Sequence, residues 1–185
     1  MQPFVVSVRY TVRVAEYKPH WMTREQFTQF ARNEQKGLRR FLLASFRGNR
    51  EEADDVAQEA LLKAYLALST FKDGTNFSTW LYHIAYNCLI DHYRKAANSV
   101  LSLDIEQAHE VLSDMNSDDS FQYQDLYCAI DGLTTSERTA VLLFYMEDRS
   151  IKEISSIMSV AVGTVKSLLS RGREHLRNQL KEYNP

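Results

Sequence analysis

Cysteine, proline and glycine are all scarce in this chain of 185 residues, which contains 2, 3 and 6 of them. Cys88 and Cys128 lie far apart, and neither has a second cysteine nearby in the sequence. The cysteines therefore suggest neither a disulfide framework nor a zinc knuckle, and both thiols are expected to be reduced. No apolar run approaches the roughly 20 residues of a membrane span. Because the aliphatic residues recur mostly at helical spacing, the sequence predicts a soluble, cytoplasmic and mostly helical protein.

Motifs of the common enzyme classes are also missing. The sequence has no glycine-rich loop for a phosphate, no cluster of metal ligands at a recognisable spacing, and no motif that pairs a nucleophile with a base. We therefore predict a protein that is not an enzyme and that needs no metal or other cofactor.

Lysine and arginine are absent from residues 99–128, where seven acidic residues and only scattered apolar ones occur. Such a segment buries too little apolar surface to offset the entropy of ordering, so we predict a flexible acidic linker. With 44% apolar residues the rest of the chain can form two small domains. The predicted divisions are an N-terminal extension at 1–21, a first helical domain at 22–98, the linker at 99–123 and a second helical domain at 124–185.

Three helices are predicted before the linker. The first begins at a capping box formed by Thr23 and Gln26. The second follows Asn49, and its edge opposite the apolar face is expected to be acidic and polar. Ser78 or Thr79 is expected to cap the third. The apolar face of the second helix is predicted to consist of Val56, Ala57, Ala60, Leu61, Ala64, Tyr65 and Leu68.

After the linker, further helices are predicted at 124–133 and from Thr135 or Ser136 to Tyr145. A second capping box, Ser150 with Glu153, begins a short helix that ends before residues 159–163. The last helix is expected to run from about residue 164 towards 182. Two helices joined by a short turn, the second rich in short polar and basic side chains, are typical of a DNA-reading helix-turn-helix. A plain helical hairpin is the alternative.

A family resemblance rests on two separate motifs. Residues 153–167 (EISSIMSVAVGTVKS), followed by Arg171, Gly172, Arg173 and Leu176, resemble region 4 of extracytoplasmic-function sigma factors. Residues 53–60 (ADDVAQEA) and 77–87 (FSTWLYHIAYN) resemble region 2 of the same family. The resemblance implies an all-α fold and an alternative sigma factor that brings core RNA polymerase to promoter DNA and helps to open it. An anti-sigma factor is a further implied partner.

Some positions depart from the family pattern. Ser155 and Ser159 stand where the family usually has Ala and Gly, and Ala161 and Thr134 each replace a common Pro. Leu168 replaces a common Arg, which removes one charge from the last helix. Residues 1–21 match nothing in the family; their alternating valines would suit one strand face, but a disordered or adventitious tail is favoured over a functional arm.

Spacing and resemblance together give the candidate sites. Three polar residues of the second helix share one face and are implied to dock to core polymerase: Asp55, Gln58 and Glu59. The residues implied to bind the minus-ten element, by stacking, by base recognition or through phosphates, are Phe71, Phe77, Ser78, Thr79, Asn87, Arg94 and Lys95. The residues implied to bind the minus-thirty-five element are Thr164, Lys166, Ser167, Ser170, Arg171 and Arg173.

Two alternatives stay open on the sequence. Trp80 belongs either to the minus-ten surface or to the core, and core packing is favoured. A free-standing transcriptional regulator could use the same helix-turn-helix, with the first domain as a sensor or a dimerisation module. Such a regulator would bind its operator without polymerase.

Overall fold

The computed structural model describes residues 22–72, 74–100, 130 and 132–183, and all regular structure within them is helical. None of these helices is long and apolar enough to cross a membrane. The predicted all-α chain of two helical domains is confirmed. The expected tail at 1–21, residues 101–123 of the expected linker and most of the helix expected at 124–133 lie outside the described residues. The helices are α1 Arg24–Ser45, α2 Arg50–Leu66, α3 Phe77–Val100, α4 Thr135–Tyr145, α5 Ile151–Met158 and α6 Val162–Tyr183, with a 3₁₀ turn at Leu68–Thr70.

Capping boxes set where three of the helices begin. The predicted box before α1 is present: the Thr23 hydroxyl accepts from the Gln26 amide at 3.2 Å, and the Gln26 side chain accepts from the Thr23 amide at 2.8 Å. The predicted box at Ser150 before α5 is also confirmed. A third box, Thr134 with Glu137, begins α4 and was not predicted. Each box supplies partners to amides that have none within the helix.

The predicted cap of α3 is wrong. The Asn76 side-chain oxygen accepts from the Thr79 amide at 3.1 Å, so Asn76 takes the cap position and Ser78 lies inside the first turn. Asn and Ser cap equally well, and here Ser78 instead donates to a Glu34 carboxylate oxygen at 2.6 Å. α6 also begins two residues earlier than expected, at Val162.

Helices α1 to α3 form an N-terminal bundle around a core to which α2 contributes mainly small residues. Ala53, Ala57, Ala60 and Ala64 of α2 are buried, which lets α1 and α3 approach closely. Their larger neighbours in this core include Leu38, Phe41, Leu42, Leu81 and Leu89. At one end of the bundle, Phe27, Phe71, Phe77 and Trp80 pack edge to face or tilted with ring centroids 5.1 to 6.2 Å apart.

Helices α4 to α6 form a C-terminal unit in which α5 and α6 make the predicted helix-turn-helix. Ser159 adopts the left-handed conformation, with φ 54°, at the end of α5. The Ser155 hydroxyl donates to the Val160 carbonyl at 2.6 Å and ties the turn to α5. Where α4 and α6 pack together, a Cβ added at Gly172 would lie 2.8 Å from Val141 Cγ2. Gly172 therefore permits this close approach.

The two units pack against each other through α1, α3, α4 and α5. Arg138 of α4 is buried and donates to the Ser45 carbonyl at the end of α1 (3.1 Å). The Tyr93 hydroxyl donates to the same carbonyl at 2.7 Å. These bonds satisfy an oxygen at the helix end that has no partner within α1.

Candidate nucleic-acid interface

One exposed stripe runs along α2. Asp55 and Gln58 are exposed and Glu59 is half-buried, and Leu62 and Leu66 continue the same side of the helix towards its C-terminus. The two leucine side chains are large and uncovered, with 58% and 71% of their surface exposed. The predicted acidic and polar edge is therefore correct only for the first half of α2. We call these five residues the α2 stripe.

Ion pairs distinguish the acids of α2. Glu59 pairs with Lys63 at 2.8 Å within the helix, and the hydrogen bond that Lys63 donates to this carboxylate raises the pKa of Lys63. Asp54 pairs with Arg39 of α1 at 2.6 Å. Asp55 is exposed, so its charge faces solvent.

A second polar face runs along α3. Trp80, His83, Asn87 and Arg94 lie on one side of the helix, because they are spaced by three, four and seven residues. Asn87, Arg94 and the adjoining Lys95 are exposed, as expected for DNA contacts. His83 was not predicted, and its ring nitrogen Nε2 accepts from the Asn87 side-chain amide at 3.1 Å. Arg94 pairs with Asp91 of its own helix at 2.8 Å.

The remaining minus-ten candidates do not join this face. Phe71 and Phe77 are buried to 8% and 7% exposure in the aromatic cluster, with Trp80 packed against both rings. Ser78 is buried on the opposite side of α3 from Asn87. Thr79 is half-buried, and its hydroxyl has no hydrogen-bond partner among the described residues. The structure therefore brings Asn87, Arg94 and Lys95 together and places the two phenylalanines beneath the surface.

The last helix presents the third surface. Lys166, Ser167, Ser170 and Arg171 are exposed within one half of its circumference, and Thr164 and Arg173 are exposed at the borders of that half. Leu168 points the other way and is 5% exposed, in the core with Val165 and Leu169. The expected loss of a charge through Leu168 therefore does not alter the exposed face of α6.

Buried Glu137 of α4 forms an ion pair with Arg171 of α6. Its side chain is only 4% exposed, and its oxygens lie 3.5 Å from Arg171 Nε and 3.3 Å from His175 Nδ1. Burial alone raises the pKa of Glu137, but hydrogen bonds from Thr134 and the charges of His175 and Arg171 outweigh it and keep that pKa below the usual value. The ionised carboxylate fixes Arg171 on one side and leaves 59% of its side chain exposed.

In the part of the chain that the structure describes, no three His, Cys, Asp or Glu side chains converge as metal ligands. The three surfaces are instead suited to contact with large partners. One is acidic and apolar, and two carry amide, hydroxyl and basic side chains of the kinds that bind DNA.

Comparison with protein families matches both domains. Residues 21–99 match Sigma-70 region 2, and residues 123–176 match Sigma-70 region 4. The match over the first domain excludes a free-standing regulator with an unrelated N-terminal sensor. The described α2 and α3 surfaces lie within the first match, and the Lys166 to Arg171 surface lies within the second.

Comparison with individual proteins gives the same family. The chain is 37% identical over 148 residues to the ECF RNA polymerase sigma factor SigW of Bacillus subtilis, covering 73% of this chain and 79% of that one. It is 30% identical over 142 residues to the ECF RNA polymerase sigma-E factor of Escherichia coli K12, covering 70% and 74%. The structure of the sigma factor RpoE of Bartonella quintana, solved with the anti-sigma factor NepR, superposes with a TM-score of 0.75 at 28% identity, covering 85% and 98%. The chain belongs to the extracytoplasmic-function sigma factors of the sigma-70 family, the non-enzymatic subunits with which RNA polymerase recognises promoters and initiates transcription.

Proposed function

We propose that the three exposed surfaces divide the work of this sigma factor. The α2 stripe docks to core polymerase, the polar face of α3 binds the minus-ten element, and the exposed half of α6 reads the minus-thirty-five element. The observation that carries the proposal is that each surface lies on a different helix and stays exposed while the opposite side of that helix is buried.

Docking through the α2 stripe combines charge and apolar contact. Asp55 and Glu59 present carboxylates that suit a basic partner surface. Leu62 and Leu66 add large apolar side chains, each worth about 1.5–3 kcal/mol when fully buried. Acids at one end and leucines at the other also fix the direction in which the partner lies along α2.

On α3, Asn87 offers both a donor and an acceptor to the edge of an unpaired base. Arg94 and Lys95, about two turns farther along, suit the phosphates of the same strand and position it without reading its sequence. Trp80 lies on the same side of the helix and is half-buried. Because Phe71 and Phe77 are buried, their role is to support Trp80 from below.

On α6, Arg171 is placed to pair with guanine, while Lys166, Ser167 and Ser170 lie beside it. Ala161 precedes the helix and has no side-chain acceptor for the amides of the first turn. The N-terminus of α6, with Thr164, therefore suits a DNA phosphate. Arg173 lies at the border of the exposed half and suits the DNA backbone.

An anti-sigma factor is the further partner that we propose. The support is the Bartonella quintana neighbour, which was solved in complex with the anti-sigma factor NepR and which the described chain matches over most of its length.

The docking proposal is tested by reversing the charge of the stripe. Asp55→Arg with Glu59→Arg is expected to abolish co-purification with core polymerase in the absence of DNA, because it reverses the charge of the stripe. The fold should survive, since neither substitution disturbs helix propensity much. Leu62→Ala with Leu66→Ala should weaken it as well. A matched control, Glu25→Arg with Glu174→Arg, makes the same change in net charge on exposed positions of α1 and α6 and should co-purify like the wild type. Wild-type binding by both stripe variants would refute the docking face.

A further inference from the structure

Glu137 of α4 contacts two residues of α6 at once. One of its carboxylate oxygens lies 3.5 Å from Nε of Arg171, and the other lies 3.3 Å from Nδ1 of His175, one turn farther along. The second oxygen also accepts from the Thr134 amide at 3.2 Å, in the capping box at the start of α4. Because both oxygens have partners and the side chain is only 4% exposed, the carboxylate is held in one orientation.

A glycine lets α6 come close enough for this contact. Gly172 follows Arg171 and is buried against α4. A Cβ added there would lie 3.8 Å from the Cβ and from the carbonyl oxygen of Glu137, and 2.8 Å from Val141 Cγ2. A side chain at this position would therefore push α6 away from α4 beside Arg171. The backbone of α6 is thus fixed against Glu137, and the contact does not depend on long side chains alone.

The contact engages one edge of the Arg171 guanidinium group. This group has N–H donors on Nε and on both terminal nitrogens. An acceptor at Nε leaves the terminal nitrogens for a base edge, and two such donors match the O6 and N7 acceptors of guanine. With 59% of its side chain exposed, Arg171 stays accessible to DNA while Nε is held.

The same contact weakens general attraction to DNA. A carboxylate beside Arg171 offsets its positive charge, and the attraction to phosphates that supplies non-specific binding depends on that charge. The arrangement is therefore poorly suited to a residue that only binds the DNA backbone. It suits a residue that reads a base, because a guanidinium group that is already ordered loses less conformational freedom on binding.

We propose that Glu137 is a positioning residue for promoter reading. By holding Arg171 at Nε, it directs the terminal nitrogens towards one guanine of the minus-thirty-five element. It thereby raises the preference for that base pair and lowers the affinity for DNA of other sequences. The inference rests on the base-reading role proposed for Arg171, and it adds α4, which lies outside the helix-turn-helix, to the determinants of sequence preference.

Glu137→Gln removes the charge and keeps the cap. Glutamine serves as well as glutamate at this position of a capping box, because its side-chain oxygen can accept from the Thr134 amide. Bonded in this way, its amide nitrogen lies towards Arg171 Nε, so that two donors meet and the contact is lost. The variant is therefore expected to fold, which thermal denaturation checks.

Glu153→Gln is the matched control. It makes the same chemical change at the same capping-box position of α5, in the same unit of the chain. The Glu153 carboxylate accepts from the Ser150 amide at 2.9 Å and interacts with the charge of Arg149 in the α4–α5 turn. Any effect of losing a carboxylate from a capping box is therefore common to the variant and the control.

Holoenzymes formed with purified core polymerase are compared on a duplex library randomised over the minus-thirty-five element and on a duplex of scrambled sequence at several salt concentrations. Glu137→Gln should lower the preference at one base pair about two- to tenfold, the range expected for the cost of ordering one long side chain. Its affinity for the scrambled duplex should rise, and the slope of log affinity against log salt should steepen by about 0.9, since one more positive charge is available to phosphates. Glu153→Gln should match the wild type in all three quantities.

Arg171→Ala identifies the residue through which Glu137 acts. This variant should lose the preference at the same base pair. Adding Glu137→Gln to it should lower that preference no further, because the side chain that Glu137 positions is already absent. An equal loss from Glu137→Gln in both backgrounds would overturn the inference, because Glu137 would then act through another residue.

The remaining outcomes separate this inference from the proposed function. If Glu137→Gln weakened binding to every duplex, the scrambled one included, Glu137 would have a purely structural role and the inference would be overturned. If Arg171→Ala relaxed the preference while Glu137→Gln kept it at the wild-type level, the positioning would be refuted and the base-reading role of Arg171 would stand. If Arg171→Ala changed the preference at no base pair, both would be refuted.

Discussion

Gly172→Ala tests the close packing that holds the DNA-reading helix in place. Gly172 is buried in α6 against α4, between the exposed residues Arg171 and Arg173. An added methyl group would lie 2.8 Å from Val141 Cγ2, whereas two carbons are most stable about 3.5–4.0 Å apart. The other near atoms, both of Glu137, lie at 3.8 Å and are in ordinary contact. The conflict is therefore with Val141 alone.

Two opposing effects set the size of the change. Alanine is favoured over glycine inside a helix by up to about 1 kcal/mol. Forcing a methyl group into a packed interface costs about 1–3 kcal/mol. We expect Gly172→Ala to destabilise the chain by about 1 kcal/mol in net terms. In a Val141→Ala background the obstructing methyl is absent, so the same substitution should stabilise by up to about 1 kcal/mol.

The measurement is a double-mutant cycle by urea denaturation of the wild type, the two single variants and the double variant. The sign reversal is the diagnostic result, because helix propensity alone acts equally in both backgrounds. If Gly172→Ala stabilised both backgrounds to the same extent, α4 and α6 would not be in the contact that the structure shows.

Four further outcomes are expected. Asn87→Ala should leave duplex promoter binding intact and reduce permanganate reactivity of promoter thymines, whereas the exposed-amide control Asn33→Ala should melt DNA normally. Arg171→Ala should weaken binding to the minus-thirty-five element by about 1–3 kcal/mol and relax the sequence preference at one base pair. A uniform loss of affinity across promoter variants would make Arg171 a contact to the DNA backbone. Ser159→Gly should stabilise the chain by up to about 1 kcal/mol, because the left-handed conformation costs glycine nothing in steric terms; a loss in thermal denaturation would contradict this. The Ser150 hydrogen bonds lower the pKa of Glu153, so the stability that they confer should be present above the unfolded pKa near 4.3 and be lost as pH falls through the lower folded value. Glu153→Gln should make the free energy of unfolding depend less on pH over this range. If the variant and the wild type gave identical pH profiles, the Ser150–Glu153 cap would not be the source of the pH dependence.

Local signals made most of the helices predictable. The boxes at Thr23 and Ser150 involve residues three positions apart, so sequence alone contains both partners. The same pattern was present at Thr134 and Glu137 and could have been found. At the start of α3, Asn76 and Ser78 could cap equally well, and the hydrogen bond of Ser78 to Glu34 of α1 leaves the cap position to Asn76.

The exposed leucines of α2 show why a helical face is harder to predict than a helix. Large apolar residues usually mark the buried side, but the buried side of α2 is built mainly from alanines because α1 and α3 approach it closely. Leu62 and Leu66 are left on the open side. The converse holds for Phe71 and Phe77, which adjoin an exposed loop in sequence but pack into the aromatic cluster.

Contacts between the two units were beyond the reach of sequence patterns, because their partners are far apart in the chain. Arg40 and Glu147 are separated by 107 residues, and Glu34 and Arg149 by 115. No spacing rule connects such pairs, and each residue alone resembles an ordinary surface charge. Only the fold reveals that the side of α3 carrying Tyr82 faces the C-terminal unit while the adjoining side carries Asn87. His83 lies at the border of these two sides and bonds to both, so packing of the C-terminal unit and availability of the Asn87 amide are physically linked.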